Sequence, residues 1–394
     1  MPTAASFSLS DQEFWRSGDI HAAFAELRRS DPVSWQPEKH PDMRPTSRGS
    51  WAVVRHEDIS YVSRNADLFG NRHGVLVDYT SGPLGGILVM DDPAHRSYRG
   101  LVNPQFSRRS VARHSELVRR TAEGIMDRCA QKGTFDFVTD VSHVFPTTVI
   151  LDLMGIPDDQ MQQMVTLTQA VFSSDPEESS ASEDQIAEIG RELIASLPEG
   201  AESLTAHLAN GRVNGEPLSA VDAGYYFSLL VTAGIETTGT VLSHAIKALH
   251  DFPDQQASWR RNFEELKPTA LDEIIRWATP IRHFARTALV DTEIAGRPVK
   301  AGDKVALWFV SANRDETVFD EPFALRLDRP MNQHFAFGGP GPHHCLGLNL
   351  AKLELGIFFE VFFERVQAYE IGDAKYLASE IVNGVESMPV TLSA

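Results

Sequence analysis

Cysteine occurs only twice in the 394-residue chain, at Cys129 and Cys345, and the second stands where chemistry is possible. It follows Gly338, Gly339, Pro340, Gly341 and Pro342, and it precedes Leu346, Leu348, Leu350, Ala351 and Leu353. The glycines open backbone angles closed to other residues and the prolines stiffen the path, which predicts a rigid loop running into a helix. The free N–H groups and positive dipole end of that helix favour a thiolate. A thiolate can bind a metal or attack a carbonyl. Structural zinc would need further ligands, and only His343 and His344 are close in sequence, with no second cysteine in reach. A nucleophile would need a base brought by the fold, so a cysteine hydrolase stays open. An axial ligand to haem iron needs one cysteine, a protected loop and cationic partners for the propionates, and uses every feature of the stretch.

A second group is Ala233-Gly234-Ile235-Glu236-Thr237-Thr238, where a glycine, a carboxylate and two β-branched hydroxyl residues each weaken a helix. Such a segment is either a functional site or a kink in which Thr237 bonds its own backbone and a salt bridge satisfies Glu236. Two pairs sit at helical spacing: His95 with Arg99 (i, i+4) and Glu273 with Arg276 (i, i+3), each sharing one face. From Pro280 to Ala288 a strand is expected whose alternation puts Arg282, Phe284 and Arg286 on one face and His283 on the other.

The elements that must position these residues are mainly helical. Apolar spacing predicts a helix over 19–30, short strands at 33–35 and 50–55, and a helix from Glu57 to Ser63. The glycine-containing apolar stretch from Arg72 to Met90 reads as a loop folded over a cavity. Helix dominates from Val111 to Leu197, broken at Gly133, at Gly155-Ile156-Pro157 and at Ser173-Ser174-Asp175-Pro176. Ser219 and Asp222 resemble a capping box opening one helix to about Leu249, roughly 45 Å long and apolar on both faces, hence buried. A short helix is expected from Thr269 to Trp277, and a hairpin within Thr292 to Asn313. No internal repeat or linker divides the chain, so a single large α-rich domain with small β-sheets is the reading.

Composition sets bounds. Hydrophobic residues at 42% and charged residues at 23% suit a globular protein, and no run reads as a bilayer span. The N-terminus lacks the basic start and apolar core of a secretion signal, so a cytoplasmic location is expected. Two cysteines suit a reducing compartment, with Cys129 a small buried residue of a helix. A formal charge of −18 opposes nucleic-acid binding.

Phe337-Gly338-Gly339-Pro340-Gly341-Pro342-His343-His344-Cys345-Leu346-Gly347, followed by Leu350-Ala351 and Glu354, resembles the haem-binding loop and following helix of the cytochrome P-450 monooxygenases. Ala233 to Thr238 resembles the oxygen-activation motif of that family, His95-x-x-x-Arg99 its propionate contact, and Glu273-x-x-Arg276 its structural ion pair. These motifs keep the family order across nearly the whole chain, residues 1–394. The loop from Phe337 is one residue longer than in most bacterial members. In this it is similar to the subset oxidising steroid side chains and long or branched aliphatic chains.

The resemblance implies haem b between the long helix and the cysteine helix, with Cys345 as axial ligand. His95, Arg99, Arg286 and His343 would meet the propionates, and Ala233, Gly234, Phe337 and Gly347 would complete the cofactor site. Glu236 and Thr237 would be the catalytic pair, and Gly234 would leave space for dioxygen. Glu273, Arg276 and Arg329 would brace the cysteine loop, and the segment at Ser173 to Pro176 would belong to a lid. An apolar substrate of steroid, terpenoid, fatty acyl or secondary-metabolite type is expected, lined by Ile87, Leu88, Leu230 and Ala233, with Phe172, Ile281, Phe284 and Val382 as further candidates. The implied activity is hydroxylation with dioxygen; a peroxide-driven peroxygenase and a non-catalytic haem sensor are alternatives. With no flavin fingerprint or cysteine cluster, electrons are expected from a ferredoxin and its reductase, docking on Arg96, Arg108, Arg109, Arg113 and Lys352. The protein is expected to be a monomer.

Overall fold

The computed structural model describes residues 9, 14–15, 19–37, 49–77, 86–171, 176–330 and 333–393. Phe172 and the loop expected at 173–175 lie outside them. Asp19 accepts the Ala22 N–H and opens α1 (Ile20–Ser30). The chain then forms β1 (Val33–Pro37), β2 (Gly49–Val53), α2 (His56–Arg64) and the short β3 (Phe69–Gly70). α3 (Ala94–Gly100) carries His95 and Arg99. Next come α4 (Ser115–Lys132), α5 (Val144–Met154), α6 (Met161–Val171) and α7 (Pro176–Ser196). Gly155 ends α5 at φ 74, a left-handed angle that glycine adopts at no steric cost.

The core is built around α8 (Ala220–Asp251), a 32-residue helix whose Ser219 cap accepts the Asp222 N–H at 3.0 Å. α5, α7 and α9 (Phe263–Ala278) pack against it. It buries Tyr226, Phe227, Val231, Ile235, Leu242 and Ile246 almost completely, as apolar residues on both faces require. α9 starts well before the expected Thr269 and holds Pro268 inside. Phe263 stacks on Trp259 (5.6 Å, 13°) and meets Phe363 edge-on (6.0 Å), and this aromatic packing outweighs the proline's break.

β4 (His283–Ala288) and β5 (Lys304–Trp308) join the early strands in one sheet of order β1-β2-β5-β4-β3, with β2 and β5 parallel and the other pairs antiparallel. The late strands therefore do not stand apart; they complete a sheet begun near residue 33. Between β4 and β5 the hairpin of Thr292–Ile294 and Arg297–Val299 turns at Ala295 and Gly296. α10 (Leu348–Arg365) follows the cysteine loop and packs its phenylalanines into the main core. The architecture is a mainly helical single domain with small sheets.

Candidate active site

Between α8 and the cysteine loop with α10 lies a cavity of about 1680 Å³, well above the range of ordinary ligand pockets. Its walls include Ala233, Gly234, Glu236 and Thr237 from α8, Phe337, Gly338, His343, Cys345 and Gly347 from the loop, and His95, Arg99 and Arg286 from α3 and β4. Four segments far apart in sequence thus converge on one space.

The loop is held by its own backbone. Gly338 takes φ 80, its N–H donates to Phe335, and the Cys345 N–H donates to the Phe337 carbonyl at 2.9 Å. Cys345 has accessible surface although protein surrounds it, because that surface is cavity wall. Burial pushes its thiol up, while N–H groups of Gly347 and Leu348 and the Arg99 charge pull it down. The Phe337 ring stands 5.7 Å from the His334 ring and is partly buried against the main core.

Beside the thiol, the His95 and His343 rings lie 4.2 Å apart, Arg99 donates from Nη2 to the His344 carbonyl (2.7 Å), and Arg286 donates from Nη1 to the Ala285 carbonyl (2.9 Å). Burial and the neighbouring Arg286 charge push His343 down to about 3; burial lowers Arg286 to about 10 and lowers His95. Among the described residues, His95 Nε2 is buried without a hydrogen-bond partner. Buried and half-buried donors concentrated this way fit carboxylates entering from the cavity, and the two propionates of haem are such carboxylates.

On the opposite wall, Thr237 Oγ1 donates to the Ala233 carbonyl (2.8 Å), the bond expected of a kink. Glu236 accepts from Thr240 Oγ1 at 3.5 Å, and no salt bridge to it is found among the described residues. Burial raises its carboxyl to about 7. Gly234 corrects an expectation. A Cβ there would lie 3.1 Å from Ile150 Cδ1, so its missing side chain admits α5 rather than opening space over an iron.

Behind the loop, Glu273 accepts two hydrogen bonds from Arg276 (2.7 and 2.8 Å) and one from Arg329 (3.1 Å), all three fully or nearly buried. Burial alone would raise the Glu273 carboxyl, but Arg276 and then Arg329 hold it below its ordinary value. Arg276 also donates to the Asn313 carbonyl, and Asn313 Oδ1 accepts the Phe335 N–H (2.6 Å). The network therefore reaches the start of the cysteine loop through Asn313, a link that sequence spacing does not reveal.

Ile87, Leu88, Leu230, Ala233, Ile281 and Phe284 line the cavity. Val382 does not: it is 1% exposed and bridges Ile281 through the backbone, so Ile381 takes the wall instead. Arg282 also leaves the expected face. The strand is interrupted there, and its guanidinium turns to Asn383 and the Trp15 ring. Lys352 is half-buried and paired with Asp272 at 2.5 Å, whereas Arg96 stays exposed with a surface pair to Asp92 at 3.1 Å. Trp15, His143, Gln169 and the start of α7 also line the cavity; no local pattern marked them, since only the fold brings them there.

The Cytochrome P450 family model matches residues 184–370. The chain is 32% identical over 407 residues to the methyl-branched lipid omega-hydroxylase of Mycobacterium tuberculosis, covering 99% of this chain and 95% of that protein. It is 33% identical to the linalool 8-monooxygenase of Pseudomonas putida over 394 residues (94% and 95% covered). It is 31% identical to a steroid C26-monooxygenase of Rhodococcus jostii (98% and 84% covered). The solved structure of a Mycobacterium marinum cytochrome P450 in complex with pseudoionone superposes with a TM-score of 0.94 at 33% identity, covering 98% of each chain. Likeness of sequence and of fold over nearly the full length makes this chain a member of the cytochrome P450 family, a haem-dependent monooxygenase.

Proposed function

We propose that the chain hydroxylates an apolar small molecule, of the lipid, steroid or terpenoid kind that its relatives' names suggest, with Cys345 as the residue that would hold haem iron and a ferredoxin as electron donor. The observation that carries this reading is the convergence of one thiol and four basic side chains, His95 and Arg286 buried and Arg99 and His343 half-buried, on a single large cavity. Bound there, haem supplies the activation of dioxygen that puts one oxygen atom into a C–H bond and the other into water. Cys345 would hold the iron through its thiolate and give it electron density, losing the thiol proton that burial otherwise retains. His95, Arg99, Arg286 and His343 hold the propionates, and Glu273, Arg276 and Arg329 keep the loop in place.

Thr237 would hold an ordered water on the α8 side, and the buried Glu236, whose carboxyl titrates near neutrality, would pass protons to it. Ile87, Leu88, Leu230 and Phe284 exclude water and orient the substrate. Arg108, Arg109 and Arg113 are exposed close to the cysteine helix, where Asn349 donates to the Phe106 carbonyl at 2.8 Å. They form a positive face for an acidic ferredoxin on a protein of net charge −18. The purified protein should be red, and its reduced carbon-monoxide complex should show the thiolate-type Soret band. Cys345→Ser should lose that band while the fold persists by circular dichroism; a variant that keeps it would end the axial assignment.

A further inference from the structure

Two acids stand side by side on α9, and each reaches a different backbone N–H of the cysteine loop. Glu273 acts through Arg276 and Asn313 on the Phe335 N–H. Asp272, 5% exposed, faces His334 instead. Its Oδ1 lies 3.7 Å from His334 Nε2, and the Ala336 N–H donates to His334 Nδ1 at 3.2 Å. Ala336 and Phe337 line the cavity, and the Phe337 carbonyl accepts the Cys345 N–H. Consecutive acids thus serve consecutive amides on the path to the thiol.

The tautomer of His334 follows from these contacts. An N–H that donates to Nδ1 requires a lone pair there, so the ring proton sits on Nε2, the nitrogen that faces the carboxylate. Burial, helped by the Lys352 and Arg276 charges, holds His334 below its ordinary value against the pull of Asp272, which leaves the ring uncharged at neutral pH and Nδ1 able to accept. Asp272 does not need the imidazole as a counter-charge, because Lys352 Nζ of α10 stands 2.5 Å from the same Oδ1. A line of polar contacts therefore runs from a half-buried lysine through Asp272 and His334 to the loop backbone. A spacer that merely filled the gap beside Phe337, whose ring is 5.7 Å from that of His334, would need none of them.

We propose that His334 is a positioning residue for Cys345: oriented by Asp272 at Nε2, it fixes the Ala336 N–H at Nδ1 and with it the backbone that holds the Cys345 N–H. The consequence for catalysis rests on Cys345 being the residue that would hold haem iron; the hold on the loop does not.

An asparagine at 334 can offer its side-chain oxygen to the N–H two residues on, whereas a leucine fills more of the buried space and offers no acceptor. The two variants therefore separate positioning from space-filling. In the haem-loaded protein, hydrogen exchange of the segment 334–345, followed by mass spectrometry, should be about tenfold faster in His334→Leu, the size expected for one lost hydrogen bond. His334→Asn should stay within about twofold of wild type. The reduced carbon-monoxide complex of His334→Leu should lose part of its thiolate-type Soret band, and that of His334→Asn should keep it. Should the leucine variant not fold, as judged by circular dichroism, His334→Ala removes the same acceptor and carries the same expectation. Unchanged exchange on removal of the acceptor, or a looser loop in His334→Asn than in His334→Leu, would make His334 a spacer and overturn the proposal. Failure of the haem-thiolate reading would show instead as a wild type without that band, with the exchange comparison unaffected.

Discussion

Thr237 donates its hydroxyl to the Ala233 carbonyl at 2.8 Å, and that bond is compatible with two roles. A kink needs only the bond, whereas a proton relay also needs the hydroxyl oxygen to accept from water in the cavity. Thr237→Ala should still bind haem and substrate and still consume electrons, but release them mainly as hydrogen peroxide. Coupling to product should fall at least about tenfold, within the usual size of acid–base effects. Full coupling, read as product formed per NAD(P)H consumed, would leave the kink as the whole explanation. Glu236 is legible in a stability measurement too. Its folded value of about 7 lies above the ordinary value, so the folded state holds this proton more tightly than the unfolded one. The cost is absent below about pH 4.5, grows as pH rises, and is complete above pH 7, on the order of 3 kcal/mol. Glu236→Gln should therefore melt above wild type at pH 8 and close to it at pH 4.5. No difference between the two pH values would show that water or a partner keeps the carboxylate solvated.

Of the three glycines in α8, Gly234 and Gly239 flank the Glu236-Thr237 pair and are not distinguished by the sequence alone. A Cβ on Gly234 would meet only the tip of Ile150 at 3.1 Å, which can turn aside. A Cβ on Gly239 would lie 2.5 Å from the Ser142 carbonyl oxygen, on backbone that cannot. Replacing a helical glycine by alanine gains about 1 kcal/mol of propensity, whereas overpacking costs roughly 1–3 kcal/mol. At Gly239 the clash should win: Gly239→Ala should lower the melting temperature by a few degrees, and Gly234→Ala should leave it unchanged or raised. Equal melting of the two variants would mean that α8 and the turn at Val138–Ser142 separate at little cost. That contact is fastened by the Ser142 and Ser243 hydroxyls at 2.7 Å, a pairing across 101 residues that no helical pattern announces.

Across the whole molecule, a net charge of −18 keeps anions away except where positive side chains gather. Arg96, Arg108, Arg109 and Arg113 are exposed, while Lys352 is half-buried against Asp272. Arg109→Glu with Arg113→Glu should slow reduction by a ferredoxin about tenfold or more at low salt, with substrate affinity unaltered, since charge steering acts on encounter. Stopped-flow reduction that is unchanged from wild type would move the dock elsewhere. The described helices include none long and apolar enough to cross a membrane.

The sequence by itself determined what is local and covalent: the cysteine loop, its single thiol, the weak middle of α8, and the i, i+3 and i, i+4 pairs. Each depends on residue type and spacing along one element, so the chain states it directly. Glycine at 338, proline at 340 and 342, and Ser219 ahead of a 32-residue apolar run act within a few residues of themselves. Only the tertiary structure decided which of these face a common space. It turned Arg282 off the strand face it was expected to share and Val382 out of the wall, brought in Trp15, His143 and the acids of α7, and tied the ion-pair network to the loop through Asn313. It also set the burial that holds Glu236 near 7 and His343 near 3. Burial and convergence depend on atoms hundreds of residues apart in the chain, and a reading by neighbours in sequence cannot count them.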